Sequence, residues 1–311
     1  MAGHRGLVGS AIVRRLEREP IGELITAISA EVDLRHQPET EAFVESTRPQ
    51  VVFLAAAKVG GIHANRSAQA EFLYDNLMIS ANVIEACHVS GVEKVVVLGS
   101  SCIYPREAPQ PIREEHLLTG PLEPTNEGYA IAKIAALELG KMYRRQYGMN
   151  VVSLMPTNLY GPGDNFDLVS SHVLAALLRK IHEAKAKGSP TVEIWGTGTP
   201  RREFLHVDDL ADAAMFALRH YEGEGHLNVG VGKDISIREL AELIAKVVGW
   251  KGEFVFNSEM PDGTPRKLLD VSKMTAVGWT ARIPLEQGIA ATYEWFLEHQ
   301  PASYAASGKA R

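Results

Sequence analysis

The sequence predicts an α/β fold in which a doubly wound parallel sheet is joined to a smaller, discontinuous second domain. Short apolar segments alternate with helix-period segments through the first half of the chain. The apolar segments are rich in β-branched residues and lack the polar alternation of a strand with one solvated face. A turn with three glycines also precedes the first predicted helix, as in dinucleotide-binding folds. Strands and helices that alternate in this way form right-handed βαβ units.

The first half supplies most of the predicted sheet. Its predicted strands are 24–28, 51–54, 95–98 and 151–154, and its predicted helices are 8–18, 39–47, 72–90 and 129–147. Beyond Pro156 the predicted elements are a loop at 161–167, an amphipathic helix at 171–187, a glycine-rich loop at 195–202, a helix at 207–219 and a strand at 227–229. We expect the last two elements to return to the sheet.

The regular alternation of predicted strands and helices ends at Pro156, which suggests where the domains divide. We expect a dinucleotide-binding domain made of residues 1–160 plus 204–230. A substrate domain would comprise residues 161–203 plus 231–300, followed by a tail at 301–311.

The composition excludes several classes of protein. Among 311 residues, 38 acidic side chains outnumber 32 basic ones, for a formal charge of −6, whereas nucleic-acid-binding modules carry a basic excess. The longest apolar run, Val51–Ala57, is far shorter than the ~20 residues of a membrane-spanning helix. No secretory signal is visible, and two cysteines form no disulfide framework. We therefore expect a cytoplasmic protein that binds neither nucleic acid nor membranes.

The turn near the start carries Gly3, Gly6 and Gly9 directly before a predicted helix. Such glycines permit a tight turn and a close approach of the backbone to a pyrophosphate, which then meets the positive end of the helix. An ordinary glycine loop is the alternative. The strand that should precede the turn has only Met1 and Ala2, where about five residues are needed. We therefore expect a Rossmann-like sheet with a truncated first strand, in a chain that was trimmed or whose natural start lies upstream.

Tyr129 and Lys133 lie four residues apart on a predicted helix, so they share one face. A tyrosine, with an ordinary pKa of about 10, becomes a usable acid or base near neutrality when a cation lies alongside. A solvated Tyr/Lys pair is the alternative for these two residues alone. Ser100, however, follows the apolar run 95–98 and so lies at the carboxyl end of a strand, where ligands bind in open α/β sheets.

The glycine turn, the strand-end serine and Tyr-x-x-x-Lys together resemble the extended short-chain dehydrogenase/reductase family. Further stretches resemble the branch that epimerises and reduces GDP-4-keto-6-deoxy-D-mannose: AAAKVGGI (55–62), GSSCIYP (99–105), EPTNEGYAIAK (123–133), MPTNLYGP (155–162), REFLHVDD (202–209) and PDGTPRK (261–267). The resemblance extends from Ala2 to about Leu297. It implies that NADP(H) is the cofactor and that a homodimer forms through the helix of Tyr129 and its neighbour.

The resemblance implies a role for each residue of the reducing site. Tyr129 would protonate the C4 oxygen of the sugar as hydride reaches C4, and Ser100 would hydrogen-bond the same oxygen. Lys133 would hold the nicotinamide ribose and favour the phenolate form of the tyrosine.

The resemblance also assigns Cys102 and His172 to the acid/base pair that epimerises C3 and C5, because the C4 ketone acidifies both C–H bonds. On an extended segment, Cys102 would point the same way as Ser100. Alone, Cys102 would be interpreted as a buried thiol and His172 as a helix-end histidine. The related 4,6-dehydratases carry an Asp-Glu pair where this chain has Ser101 and Cys102, so this stretch favours an epimerase-reductase.

The cofactor site implied by the resemblance comprises Gly3, Arg5, Gly6, Leu7, Val8, Gly9, Asp33, Leu34, Lys133, Pro156, Asn158, Leu159 and His172. Arg5 would bind the 2′-phosphate of NADP, although an exposed turn arginine is the alternative. Residues 28–30 contain neither the acid that selects NAD nor the second arginine that is common in the family. NADP is therefore favoured over NAD.

For the GDP-sugar, the resemblance implies Asn158, Lys180, Trp195, Arg202 and Asp262, with Arg202 at the pyrophosphate. The family usually has arginine at the place of Lys180, and lysine loses bidentate phosphate recognition. We expect a weaker grip on the nucleotide unless the adjacent Arg179 reaches the phosphates, and a solvated Lys180 is the alternative.

Three further interpretations depend on the same residues. Asp262 and Lys267 are candidates for guanine recognition, by resemblance alone. Asp208 and Asp209 suggest a metal site, but carboxylates also suit the start of a helix, so no metal is expected. Two other functions stay open: an epimerase or reductase for another nucleoside-diphosphate sugar, and a NAD(P)-sensing protein without turnover. Sensors tend to lose the tyrosine, so the intact Tyr129 counts against the second.

Overall fold

A computed structural model describes residues 1–168, 170–260 and 262–299. Its helices are α1 (Leu7–Leu16), α2 (Gln37–Thr47), α3 (Ile62–Ser67), α4 (Gln69–Val89), α5 (Glu127–Tyr147), α6 (Val173–Lys187), α7 (Val207–His220), α8 (Ile237–Val248), α9 (Ser272–Ala276) and α10 (Leu285–His299). Its strands are β1 (Val51–Leu54), β2 (Lys94–Leu98), β3 (Val151–Pro156), β4 (Asn158–Tyr160), β5 (Thr191–Trp195), β6 (Arg201–His206), β7 (His226–Val229), β8 (Asp234–Ser236), β9 (Glu253–Asn257) and β10 (Arg266–Lys267). The expected tail at 301–311 lies outside the described residues, as does Pro261 of the PDGTPRK stretch.

A four-stranded parallel sheet with the order β1-β2-β3-β7 confirms the predicted fold class. Every residue of β2 and β3 is buried, which explains why their sequences show no polar alternation. Apolar side chains of α1 and α7 form one core against this sheet, and those of α2 and α4 contribute to a second. The helix and strand expected to return to the sheet do so, as α7 and β7.

The segment 24–28 was predicted as a strand, and this prediction is wrong. The ammonium of Met1 donates a hydrogen bond to the Ile25 carbonyl at 2.8 Å, and Ala2 pairs in parallel with Leu54. A strand needs a neighbour that pairs along its whole length. Met1 and Ala2 are too short to provide that ladder, so 24–28 forms no strand in the structure.

The residues after Pro156 form a second packed unit. Strands β4, β6, β8 and β10 belong to one sheet, and β5 pairs with β9. Buried side chains of α6, α8 and α10 make the core of this unit, among them Leu178, Ile244 and Phe296. Met274 and Trp279 come from the range expected to form the substrate domain, yet they pack into the core of the parallel sheet.

The loop predicted at 195–202 is shorter in the structure, because β5 continues through Trp195 and β6 begins at Arg201. Residues 191–195 alternate between exposed and buried positions, the period of a strand with one solvated face. No helix in the described ranges is long and apolar enough to cross a membrane.

Candidate active site

The start of α5 carries Tyr129 and Lys133 to the carboxyl end of β2. Lys133 Nζ donates a hydrogen bond to the carbonyl of Leu98, the last residue of β2, at 2.9 Å. The same nitrogen lies 5.7 Å from the centre of the Tyr129 ring, and Phe72 of α4 meets that ring edge-on at 6.4 Å. The helical spacing therefore brings both side chains to one edge of the sheet, as predicted.

Burial is the main cause of the pKa shifts of Tyr129 and Lys133. It raises the pKa of Tyr129 above its ordinary value, and the nearby Cys102 acts in the same direction. Burial also lowers the pKa of Lys133 to about 8. That Lys133 favours the phenolate of Tyr129 stays a prediction: the ammonium lies close to the ring, whereas burial of the phenol acts in the opposite direction. A protonated phenol is the form that can donate a proton to a carbonyl oxygen.

Ser100 ends the extended backbone that leaves β2 and begins a 3-10 turn at Ser101–Ile103. Its Oγ accepts a hydrogen bond from the backbone N–H of Cys102 at 3.3 Å. Cys102 therefore lies in a turn, and the prediction of an extended segment is wrong. The serine cap closes the turn, and the cysteine thiol stays beside the serine hydroxyl.

In the structure, the charge of Lys267 acts on both Cys102 and His172. Cys102 is only 7% exposed, and burial raises the pKa of its thiol, whereas the charges of Lys267 and Lys133 oppose that rise. His172 precedes α6, and its side chain does not cap the helix. Burial, with help from Lys267, lowers the pKa of His172, so its imidazole is neutral at pH 7.

Lys267 is a residue of this site that the sequence analysis considered only for guanine. Strand β10 has two residues and pairs Lys267 with Arg202 of β6. So short a strand has no periodicity that could be recognised, and its partner lies far away along the chain. The signal was therefore absent from the local sequence.

Glu203 is a second residue that the sequence analysis did not single out. It is fully buried, and its carboxylate accepts hydrogen bonds from the backbone N–H groups of Val231 and Gly232 at 2.6 Å and of Leu269 at 3.1 Å. It thereby ties β6 to the segments that follow β7 and β10. No local signal identified this role, because the hydrogen-bond partners of Glu203 lie far along the chain.

The glycine turn fits a dinucleotide. Gly3 has φ +85°, and a Cβ there would lie 2.6 Å from the backbone nitrogen of Ala56. A Cβ at Gly9 would overlap the carbonyl oxygen of Gly3. No side chain caps α1 and no acid lies in its first turn, so its N–H groups and positive dipole end face outward from Gly6. This is the environment that a pyrophosphate requires.

The other expected cofactor residues differ in the ion pairs and hydrogen bonds that they form with the rest of the chain. Arg5 is exposed and forms no ion pair with any residue described. Asp33 pairs with Arg35 at 2.6 Å, which lowers the pKa of Asp33 to about 2. The Leu34 carbonyl accepts a hydrogen bond from Asn82 Nδ2 at 3.0 Å. Pro156, Asn158 and Leu159 lie where β3 passes into β4, at the edge of the sheet that also carries Ser100.

The expected GDP residues lie on β4, β5, β6, α6 and the segment before β10. Lys180 Nζ is 5.2 Å from the centre of the Trp195 ring, which is 56% exposed. Asp262 accepts hydrogen bonds from Thr197, at 2.7 Å from the backbone nitrogen and 2.8 Å from Oγ1. Burial lowers the pKa of Arg202, against the charge of Asp262.

Two engaged side chains limit what can bind the nucleotide. Arg179 donates to Glu183 at 2.8 Å and to the Phe166 carbonyl at 3.0 Å, so its guanidinium is engaged by its own helix and the loop before it. Asn158 Nδ2 donates to the Glu203 carbonyl at 2.8 Å, which commits its amide to β6.

Asp208 and Asp209 begin α7, as predicted. Asp208 pairs with Arg14 at 2.7 Å, and Asp209 accepts hydrogen bonds from the backbone N–H groups of Arg282 and Ile283. Both carboxylates thus have structural partners. Within the described part of the chain, no group of three side chains is arranged to hold a metal ion.

The fold and the site define a class of protein, and comparison with known proteins agrees. Residues 1–230 match the model of the NAD dependent epimerase/dehydratase family, and the chain belongs to that family. Among individual proteins, it is 54% identical to GDP-L-fucose synthase 1 of Arabidopsis thaliana over 299 residues, covering 96% of this chain and 93% of the relative. It is 53% identical to the GDP-L-fucose synthase of Escherichia coli K12 over 309 residues, covering 96% of each chain. A solved GDP-mannoheptose C4 reductase from Campylobacter jejuni with NADP bound superposes with a TM-score of 0.89 at 38% identity, covering 95% of this chain and 96% of that one.

Proposed function

We propose that this chain converts GDP-4-keto-6-deoxy-D-mannose to GDP-L-fucose, by epimerising C3 and C5 and then reducing C4 with NADPH. The observation that carries the proposal is the single turn that holds both Ser100 and Cys102 beside Tyr129. The proton donor for reduction and the thiol for epimerisation thereby lie close enough for their charges to interact. The family of the chain and its similarity to GDP-L-fucose synthases support the same reaction.

Epimerisation requires a proton to leave C3 or C5 on one face of the sugar and to return on the other. Removal of the proton places the electron pair on the C4 oxygen as an enolate, which Ser100 and Tyr129 stabilise by donating hydrogen bonds. We assign the proton transfers to Cys102 and His172, one as base and the other as acid. The neutral imidazole of His172 can accept a proton, and the buried thiol of Cys102 can donate one.

Reduction requires hydride at C4 and a proton at the C4 oxygen. NADPH, when bound, supplies the hydride. Tyr129 transfers its phenolic proton to the oxygen, and its raised pKa keeps that proton in place until the oxygen becomes strongly basic. Ser100 orients the oxygen, and Lys133 lies near enough to stabilise the phenolate that forms.

We propose that the pyrophosphate of NADP lies at the start of α1 and that Arg5 reads its 2′-phosphate. Both nucleotide sites depend on cationic or N–H groups, consistent with their anionic ligands. For GDP, we propose that Trp195 holds the base or ribose side and that Lys180 and Arg202 face the phosphates.

We further propose a homodimer through α4 and α5. Tyr74 and Leu77 on α4 and Ile131 and Met142 on α5 are large apolar side chains that lie exposed on this helix pair. Large apolar side chains exposed on two helices that pack together commonly mark an interface. Sedimentation velocity should give a dimer for the wild type and a monomer for Ile131→Glu, whereas a monomeric wild type would contradict the proposal.

The deciding experiment is NADPH oxidation on addition of GDP-4-keto-6-deoxy-D-mannose, with NADH in parallel and the sugar product identified. We expect GDP-L-fucose and a faster reaction with NADPH. A folded protein that binds NADPH but does not oxidise it with this sugar would contradict the proposed substrate. Reduction that gives a product unchanged at C3 and C5 would contradict the epimerase half alone.

A further inference from the structure

Three buried polar atoms around the candidate active site have no hydrogen-bond partner. They are Oδ1 of Asn65, Oδ1 of Asn126 and Oγ of Ser171. A buried polar atom without a partner costs roughly 1–3 kcal/mol, so such atoms are rare in native proteins. Only five atoms of this kind occur in the described ranges, and three of them lie on segments that pack together.

The packing of three segments explains their proximity. Helix α3, which carries Asn65, packs against the 3-10 turn Pro124–Asn126. The backbone N–H of Gly61, at the start of α3, donates to the Ser170 carbonyl at 3.1 Å. Helix α3 therefore joins the segment of Asn126 to the segment of Ser171.

The same segments carry the proposed chemistry. Asn126 lies one helical turn before Tyr129, and Ser171 directly precedes His172. The segments that carry these three atoms therefore adjoin Tyr129 and His172 along the chain, whereas Lys180 and Trp195 of the proposed GDP site lie further along, on α6 and β5.

Hydrogen bonds within each local segment do not supply the missing partners of these three atoms. Asn126 occupies the N-cap position of α5, where asparagine ordinarily accepts a hydrogen bond from the first turn, but its side chain makes no such bond. Asn65 uses its amide nitrogen to hold the carbonyls of Gly60 and Gly61, at 2.6 and 3.1 Å, which leaves its oxygen unpaired. The neighbouring Ser170 is fully engaged with Asp167, in contrast to Ser171.

We propose that Asn126 and Ser171, with Asn65 beside them, hydrogen-bond the ring hydroxyls of the bound 4-keto sugar and so determine its specificity. This inference rests on the proposed function. The ring of GDP-4-keto-6-deoxy-D-mannose has hydroxyls only at C2 and C3, since C1 bears the phosphate, C4 is a ketone and C6 is a methyl group. Two amide oxygens accept and one hydroxyl either accepts or donates, which complements two O–H groups. A site built for a hydroxyl discriminates strongly against a ligand that lacks it, because its own polar atoms are then left unpaired.

The test compares kcat/KM for the parent sugar with that for its 2-deoxy and 3-deoxy analogues, with NADPH as reductant. The wild type should prefer the parent to at least one analogue by about tenfold or more. Asn126→Ala and Ser171→Ala should each lower kcat/KM for the parent by about tenfold and leave it within about twofold for the analogue that lacks the partner hydroxyl. The dissociation constants of GDP and NADPH, measured separately, should stay at the wild-type values.

The matched control is Asn150→Ala, which removes an asparagine at the opposite, amino-terminal edge of β3 and should leave the preference unchanged. Equal losses for parent and analogues in Asn126→Ala and Ser171→Ala, or weaker binding of GDP, would overturn the proposal. If the wild type uses both analogues with the same kcat/KM as the parent sugar, the proposal is overturned without any variant. The test therefore does not depend on whether the variants fold. Failure of the proposed function looks different, because the wild type would then reduce none of the three sugars.

Discussion

The hydroxyl oxygen of Ser100 accepts a hydrogen bond from the backbone N–H of Cys102 at 3.3 Å. One side chain thus caps the turn that presents the thiol and also faces the position proposed for the sugar carbonyl. The two halves of the reaction share a structural support at this point. A substitution at Ser100 that removes this hydrogen bond should therefore affect both epimerisation and reduction. A substitution that keeps the hydrogen bond should allow the two half-reactions to be affected separately.

Replacement of Ser100 tests this shared support. Ser100→Ala removes both the cap and a donor to the C4 oxygen, so we expect both deuterium exchange at C3 and C5 and NADPH oxidation to fall by about 100-fold. Ser100→Thr keeps the hydroxyl and should retain most of both activities. Retention of full exchange in Ser100→Ala would show that the cap does not position Cys102.

The two half-reactions should respond in opposite ways to two variants. Tyr129→Phe removes the proton donor for the C4 oxygen, so NADPH oxidation should be lost while solvent deuterium still enters C3 and C5. Cys102→Ser should block that exchange while NADPH still binds, because a serine hydroxyl is a far weaker acid than a thiol. Mass spectrometry of the keto sugar in D₂O measures exchange, and full exchange in Cys102→Ser would rule out an acid/base role for the thiol.

Arg5 should set the preference between NADPH and NADH. Arg5→Ala removes an exposed guanidinium at the glycine turn, so we expect the Kd of NADPH to rise by about tenfold and that of NADH to stay the same. Arg18→Ala, just beyond the carboxyl end of α1, is the matched control. An equal change for both cofactors would mean that Arg5 does not read the 2′-phosphate.

Lys180 should limit the affinity for GDP. Lys180→Arg restores a planar fork that can pair with two phosphate oxygens, so the Kd of GDP should fall several-fold, by about 1 kcal/mol. Lys180→Ala should raise it, and Lys187→Ala on the same helix should not change it. Isothermal titration with GDP measures each value. If Lys180→Arg and Lys180→Ala both bind GDP as the wild type does, Lys180 is a solvated residue and the assignment is wrong.

Asp164 should make stability depend on pH between about 4 and 7. One carboxylate oxygen accepts from the Asn165 N–H at 2.7 Å, but the other is buried without a partner, and burial raises the pKa of Asp164 from 3.8 to about 7. The folded state then holds a proton that the unfolded state has lost, so the free energy of unfolding should fall as pH rises through this window, by at most ~1.4 kcal/mol per pH unit. Above pH 7 this contribution should be flat.

Asp164→Asn should remove this slope and unfold at higher denaturant concentration than the wild type at pH 8. Glu45→Gln, on the exposed face of α2, should keep the slope. Chemical denaturation at several pH values provides the comparison. A variant with the wild-type slope would contradict the assignment.

Features that depend on neighbouring residues could be predicted from the sequence. The run 95–98 forms β2, and the four-residue spacing of Tyr129 and Lys133 places them on one side of α5. The glycine turn precedes α1 because tight turns and helix starts are local events. In each case, residues within one or two turns of each other determine the outcome.

Features that depend on a residue far away along the chain could not be predicted from the sequence. Residues 24–28 have the composition of a strand but lack a strand to pair with along their length. Cys102 lies in a turn because Ser100 caps it, a side-chain contact that the extended pattern did not reveal. Lys267 enters the site through β10, whose partner Arg202 lies more than sixty residues earlier in the chain.

The sequence by itself determined the fold class, the order of the main βαβ elements and the chemical types gathered at the carboxyl edge of the sheet. These follow from hydrophobic period, turn chemistry and spacing, which are local. The tertiary structure decided the burial of Tyr129, the hydrogen bonds of Arg179 and the grouping of Asn65, Asn126 and Ser171. These depend on burial and on contacts between segments far apart in the chain, and only the folded chain brings such segments together.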